Sequence, residues 1–181
     1  IVIANTMVKH SVAGGEYTTR RAEVEEACAV IARHRPEVRF LRDATMEDLV
    51  KWGHEMSPNA LKRARHIITE NSRTVAAADA LLRHDLATLG RMMAEAHTSY
   101  SRDFEASCLE ADAMVALAQD LPGLIGARLT GGGFGGCTVN LVESGHAAEF
   151  AEALGARYAT ETGIVPETYI CHASQGARKL D

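Results

Sequence analysis

The stretch Leu129–Val142, LTGGGFGGCTVNLV, places five glycines within eight residues: Gly131, Gly132 and Gly133, then Phe134, then Gly135 and Gly136. A residue without Cβ reaches positive φ freely and lets another group approach its backbone closely. Successive exposed backbone N–H groups can also ring an anion. A simple turn needs fewer glycines, and each one adds backbone freedom that folding must remove. The run therefore reads as a functional loop. It is not a Walker loop, because Gly-Gly-Cys stands where Gly-Lys-Ser/Thr would be required. Nor is it a dinucleotide fingerprint, because a strand and not a helix follows it. These residues by themselves point to backbone packed against a ligand or another loop.

The other residues able to do chemistry form no such pattern. His54, His66, His97 and His172 show no H-x-x-x-H pair and no Cys/Asp partners at ligand spacing, so they read as surface or hydrogen-bonded helix histidines. Cys28, Cys108, Cys137 and Cys171 are far apart with no C-x-x-C pair. This excludes the usual zinc spacings and gives little support to a disulfide framework, which suggests a reducing, cytoplasmic setting. Lys62, Arg63, Arg65 and His66 read as the solvated face of an amphipathic helix.

The elements that must position the glycine run follow from periodicity and punctuation. Ile1–Thr6, rich in β-branched residues, reads as a strand buried on both faces. A break at Gly14-Gly15 precedes a helix over about 18–34, with Val24, Cys28 and Ile31 on one face and Pro36 just beyond its end. Thr45 with Asp48 predicts a capping box before Leu49 and Trp52. Ser57-Pro58 predicts an N-cap followed by proline at the first helical position, opening a long helix with Leu61, Ala64, Ile68, Val75, Ala78 and Leu82 on one stripe. Asp85 caps the next helix, with Leu86, Leu89 and Met93 inward. Ser107 with Glu110 suggests another capping box before Met114 and Leu117, and Pro122-Gly123 ends that helix. Two strands then flank the glycines, 127–130 and 137–142. In the second, Cys137, Val139 and Leu141 alternate with Thr138 and Asn140. A helix over about 146–160 buries Ala147, Phe150, Leu154 and Tyr158 and stops at Gly163. Residues 168–173 form the last strand. The plan is α+β: a ferredoxin-like βαββαβ antiparallel sheet with a helical insertion of about 45–121 in its first crossover.

The chain has 181 residues, 46% of them hydrophobic, and a formal net charge of −5. It can bury a substantial core, and its charge favours neither nucleic acid nor an anionic membrane surface as partner. No apolar run approaches the ~20 residues that span a bilayer, and no signal peptide is visible. The chain begins on a strand without a methionine, which suggests a domain cut from a longer protein.

ARLTGGGFGGCTVNLV resembles the third motif of the GHMP small-molecule kinases in its galactokinase form. GGEYTTRRAEVEEA is similar to the S-E-Y-x-x-R-R segment of galactokinases, RARHIITENSRTVAAADAL to their R-x-x-H-x-x-x-E-N-x-R segment, HTSYSRDFEASCLEAD to S-L-R-D-D-Y/F-E-V-S-C-P-E-L-D, and ETYICHASQGA to the closing segment. The likeness runs almost end to end, and it departs at Ser101 and Arg102, which stand where Arg and Asp are usual, and at Leu109, which stands where a proline is usual. No ligand contact is assigned to that stretch.

The resemblance implies the second half of an enzyme that transfers the γ-phosphoryl of ATP to the anomeric hydroxyl of α-D-galactose. Such chemistry depends on alignment and charge neutralisation. ATP, Mg²⁺ and the catalytic carboxylate would be held by an N-terminal ATP-binding domain that this sequence lacks, so no catalytic residue and no metal ligand is expected here. Tyr17 matches the tyrosine that contacts the sugar. Gly131 to Gly136, with Phe134 as a packing wedge, would support the phosphate loop of the other half. Glu16 would favour the start of its helix electrostatically. A kinase for another sugar (N-acetylgalactosamine or arabinose), a galactokinase-like sensor without turnover, and a free-standing ligand-binding module are the alternatives.

Overall fold

The computed structural model describes residues 1–9 and 15–176. Gly14, in the first break, and Ala177, at the end of the closing segment, lie outside them. The elements run β1 (Val2–Lys9), α1 (Glu16–His34), α2 (Met46–Trp52), α3 (Pro58–Leu82), α4 (Leu86–Arg102), α5 (Leu109–Ala118), β2 (Leu124–Thr130), β3 (Gly135–Val142), α6 (Ala147–Thr162) and β4 (Glu167–Ile170). The four strands pair in the order β2-β3-β1-β4, antiparallel throughout. This is the ferredoxin-like α+β plan, with α1 to α5 in the first crossover.

Local signals place the helix starts well. Thr45 and Asp48 form the reciprocal capping box of α2. The Ser57 hydroxyl accepts from the Ala60 N–H ahead of Pro58, and Asp85 caps α4 through the Thr88 N–H. α5 differs: Cys108, not Ser107, occupies the cap, because the Ser107 hydroxyl is turned to Asp112.

Two cores form. In one, Val2, Ala4, Met114, Ala127, Phe150, Leu154 and Tyr158 join the sheet to α5 and α6. In the other, Ala27, Ile31, Leu41, Leu49, Ala64 and Ile68 join α1, α2 and α3. The apolar stripe expected along α3 fails beyond Ile68, where Val75 is 63% and Leu82 is 82% exposed. The covered face there is a different one: Ala80 is fully buried while Val75, Ala78 and Leu82 are exposed, and in the earlier turns α4 meets α3 through polar side chains such as Ser99 against His66.

β1 is covered on one face and not two. Val2, Ala4 and Thr6 are buried, while Ile3 and Asn5 are half-exposed on the other side. The alternation in β3 also runs against hydrophobicity. Thr138 and Asn140 are fully buried beneath α5 and α6, and Cys137, Val139 and Leu141 lie on the more open face. Hydrogen bonds make this tolerable: the Asn140 amide donates to the Val2 carbonyl (3.1 Å) and to the Thr138 hydroxyl (3.3 Å), and the Thr6 hydroxyl donates to the Gly136 carbonyl (2.8 Å). α4 reaches β2 where neither backbone carries a side chain. A Cβ on Gly126 would lie 2.7 Å from the Gly90 Cα, and one on Gly90 would overlap the Ile125 carbonyl.

Candidate functional site

The glycine run is the β2–β3 hairpin, and its tip is built into the lobe. Phe134 N–H donates to the Ala106 carbonyl at 2.8 Å, joining the tip to the loop between α4 and α5. Gly131, Gly133, Gly135 and Gly136 hold positive φ, and so does Phe134 at 57°. The glycines then divide by surroundings. A Cβ on Gly133 would overlap the Ala106 oxygen and lie 2.6 Å from the Tyr100 hydroxyl oxygen, whereas Gly131, Gly132 and Gly136 face open space. Among these four, Gly133 alone stands against packed neighbours. Gly132 leaves bare backbone toward a cavity.

That cavity, of about 370 Å³, is lined by Tyr17, Ile67, Tyr100, Phe104, Gly132 and Phe134 among others. Tyr17 and the hairpin, more than a hundred residues apart in sequence, thus face one space. Tyr17 sits in the first turn of α1 and is 66% exposed. A second cavity of about 560 Å³ shares Tyr17, Arg21, Val24 and Ile67 with the first and adds Arg39, Phe40 and Arg42. Tyr17 therefore stands between an aromatic chamber and an arginine-rich one. Its phenol can both donate to and accept from a hydroxyl.

The basic cluster on α3 is a solvated face only in part, at Arg65 and the half-exposed Lys62. Arg63 is fully buried and His66 nearly so. The Arg63 guanidinium spreads over three acceptors: Nε to Glu23 Oε2 (2.7 Å), Nη1 to the Asp103 carbonyl (2.6 Å) and Nη2 to Glu105 Oε2 (2.8 Å). Lys62 Nζ takes the other Glu105 oxygen at 2.7 Å, and Arg20 Nη2 reaches the Glu105 carbonyl at 3.0 Å. Hydrogen bonds from Lys62 and Arg63 hold the Glu105 carboxyl down at about 2. Burial alone would raise Glu23, but its bond and charge contact with Arg63 overcome that and leave it below the usual carboxylate range.

One helical face explains the pattern, because Arg63, His66, Glu70 and Arg73 recur at spacings of three and four. Each holds a different neighbour. His66 Nδ1 meets the Ser99 hydroxyl at 3.0 Å, and that hydroxyl donates to Asp103. A single hydroxyl proton given to Asp103 leaves Ser99 accepting, so His66 is the Nδ1–H tautomer. Burial pushes its pKa down to about 4. Glu70 binds Arg73 and, across to β2, Arg128 at 2.9 Å. His97 on α4 accepts the Leu129 N–H through Nδ1 at 3.3 Å and turns Nε2 to Asp112 at 3.2 Å. Burial lowers its pKa as well, which keeps the acceptor nitrogen free. Arg63, Glu23 and Glu105 escaped the sequence reading, which weighs charge by composition. The available signal was the regular spacing of Arg63, His66, Glu70 and Arg73 on α3.

The departures at 101–109 have structural partners. Ser101 donates to Asp112 at 2.7 Å, and Leu109 is exposed at the start of α5. Among the described residues, no group of three or more His, Cys, Asp or Glu could hold a metal ion, and no helix is long and apolar enough to cross a membrane.

The family model described as the GHMP kinase C-terminal domain matches residues 77–160. The galactokinase of Chloroflexus aggregans is 42% identical over 176 residues, covering 97% of this chain and 45% of the relative. That of Fusobacterium nucleatum is 38% identical over 181 residues, covering 99% and 46%. Lactococcus lactis galactokinase, solved in complex with galactose, superposes with a TM-score of 0.89 at 32% identity, covering 99% of this chain and 46% of that one. L. major mevalonate kinase, at a TM-score of 0.54 and 20% identity, shares the fold. The chain spans about half the length of the relatives it matches.

Proposed function

Because this chain carries the C-terminal domain of the GHMP kinases and matches galactokinases along its whole length, we propose that it is the cleft-closing half of a galactokinase. In this reading the intact protein moves the ATP γ-phosphoryl to the anomeric hydroxyl of α-D-galactose. Tyr17 hydrogen-bonds the sugar. Gly132, with bare backbone and open space around it, lets the phosphate-holding loop of the ATP-binding half come close. Mg²⁺, held by the other half in this reading, would neutralise phosphate charge when bound. This lobe's work is to align the sugar and exclude water.

The observation that carries the reading is the shared cavity of Tyr17, Gly132 and Phe134. An aromatic wall beside polar groups suits a sugar ring, which offers apolar C–H faces and hydroxyl edges. The test is a coupled assay with galactose, ATP and Mg²⁺, on this chain alone and on the intact protein, with N-acetylgalactosamine and arabinose beside galactose. Turnover of galactose by the intact protein and none by the chain alone is expected. Activity from the chain alone would overturn the division of labour. Sugar binding without turnover by the intact protein would favour a sensor.

A further inference from the structure

We propose that Arg63 is a positioning residue for the glycine hairpin. Its buried guanidinium fixes the loop 103–106, and that loop sets where the hairpin tip stands against Tyr17. In its kinetic consequences this rests on the galactokinase reading; in its structural consequence it does not.

The connection is continuous and short. Arg63 binds the Asp103 carbonyl and the Glu105 carboxylate. Glu105 itself holds left-handed backbone, with φ of 51°, a conformation that a non-glycine residue keeps only when its surroundings impose it. Here Lys62, Arg63 and Arg20 impose it, binding the two carboxylate oxygens and the carbonyl of that one residue. The next residue, Ala106, is buried and accepts the Phe134 N–H. Phe134 is also left-handed, so the tip is bent into place by the loop it touches. On the far side Arg63 binds Glu23, one and a half turns along α1 from Tyr17. A single guanidinium thus ties the helix that carries Tyr17 to the loop that carries the hairpin. The two walls of the cavity are referred to the same buried group.

Geometry makes arginine specific for this task. Nε, Nη1 and Nη2 each serve a different acceptor, in directions fixed by the planar fork. A lysine is a single point charge and cannot serve all three. The contacts are nearly free of water screening on the Arg63 side, whose side chain is 0% exposed, while Glu105 is 38% exposed at its outer edge.

The test reads amide exchange at Phe134 in the 181-residue chain, with the amide of Tyr158, in α6 and buried in the core against the sheet, as the reference. R63K keeps the charge and loses the fork. E105Q keeps the shape and loses the charge from a partly exposed residue, so it decides the matter if R63K does not fold. K62M is the control, since Arg63 still holds Glu105 in it. Expected are at least tenfold faster exchange at Phe134 in R63K and E105Q, unchanged exchange at Tyr158, and near-parental exchange at Phe134 in K62M. Unchanged protection of Phe134 in folded R63K or E105Q overturns the proposal, and so does an equal loss at Phe134 and Tyr158, which would mark a general loss of stability. In the intact kinase, E105Q should lower kcat several-fold more than it raises KM for galactose. Inactivity of the parent kinase on every sugar would refute the galactokinase reading and leave the exchange result standing.

Discussion

The division among the glycines makes a quantitative prediction. Gly133→Ala places a methyl on a backbone with φ of +86° that overlaps the Ala106 oxygen and stands 2.6 Å from the Tyr100 hydroxyl oxygen. A left-handed residue with a Cβ costs roughly 1–2 kcal/mol. Restoring van der Waals contact requires the hairpin and loop to part by roughly 1 Å, which sacrifices the Phe134–Ala106 hydrogen bond, worth about 1 kcal/mol, and displaces packed neighbours at about 1 kcal/mol or more. The sum is about 3 kcal/mol, and in a chain of this size that lowers Tm by roughly 6–12 °C. Gly132→Ala meets nothing within 4 Å and its φ is not in the left-handed range. Removing its backbone freedom in the unfolded chain gives a change between neutral and a gain of about 1 kcal/mol. Thermal unfolding of the two variants beside the parent reads the difference directly. On the galactokinase reading, Gly132→Ala in the intact protein should then lose turnover while staying folded. Equal shifts in Tm for both variants, or a Gly133→Ala variant within about 2 °C of the parent, would refute the assignment of Gly133 to packing and Gly132 to an incoming partner.

Three further outcomes follow from named contacts. His66 has its pKa pushed by burial from 6.5 to about 4, so the unfolded chain takes the proton first as pH falls. Stability from this residue is intact above pH 6.5 and is lost toward pH 4, on the order of 2 kcal/mol by pH 5 at about 1.4 kcal/mol per unit. His66→Gln should flatten that part of the urea-midpoint profile, and an unchanged slope would show that His66 does not titrate this way. On the galactokinase reading, Tyr17→Phe should raise KM for galactose in the intact protein by roughly 2–10-fold, the value of one hydrogen bond, with Tm unchanged because the side chain is largely exposed; an unaltered KM would remove Tyr17 from the proposed site. Gly90→Ala drives a methyl into the Ile125 carbonyl and should destabilise by about 3 kcal/mol or more, read as lost expression or a large drop in Tm; a stable variant would show that α4 can slide on β2.

Much of this was legible in the sequence wherever a local rule and the tertiary structure agree. The caps at Thr45, Ser57 and Asp85 are decided within four residues, and the α6 stripe of Ala147, Phe150, Leu154 and Tyr158 is buried throughout. Gly163 closes α6 in the left-handed region, as its position suggested. What escaped depended on partners distant in the chain. Whether Arg63 is solvent-facing or buried turns on Glu23 and Glu105, forty residues away on either side. Val75 and Leu82 match the helical period, but the end of α3 is covered on another face, at Ala80. For the site, the glycine run was visible at once. The separation of Gly133 from Gly132 was not, because it depends on where the Ala106 carbonyl falls.

The covered face of the sheet carries one more consequence. With Thr138 and Asn140 beneath the helices and Val139 and Leu141 turned to the more open side, a one-residue slip of β3 would bring the greasier set inward. Oil-and-water sorting would therefore choose the wrong alignment. What selects the correct one is the Asn140 amide finding the carbonyl of Val2, a latch between strands brought together from opposite ends of the chain, so an Asn140→Leu chain should gain apolar burial and lose its sense of where β1 belongs.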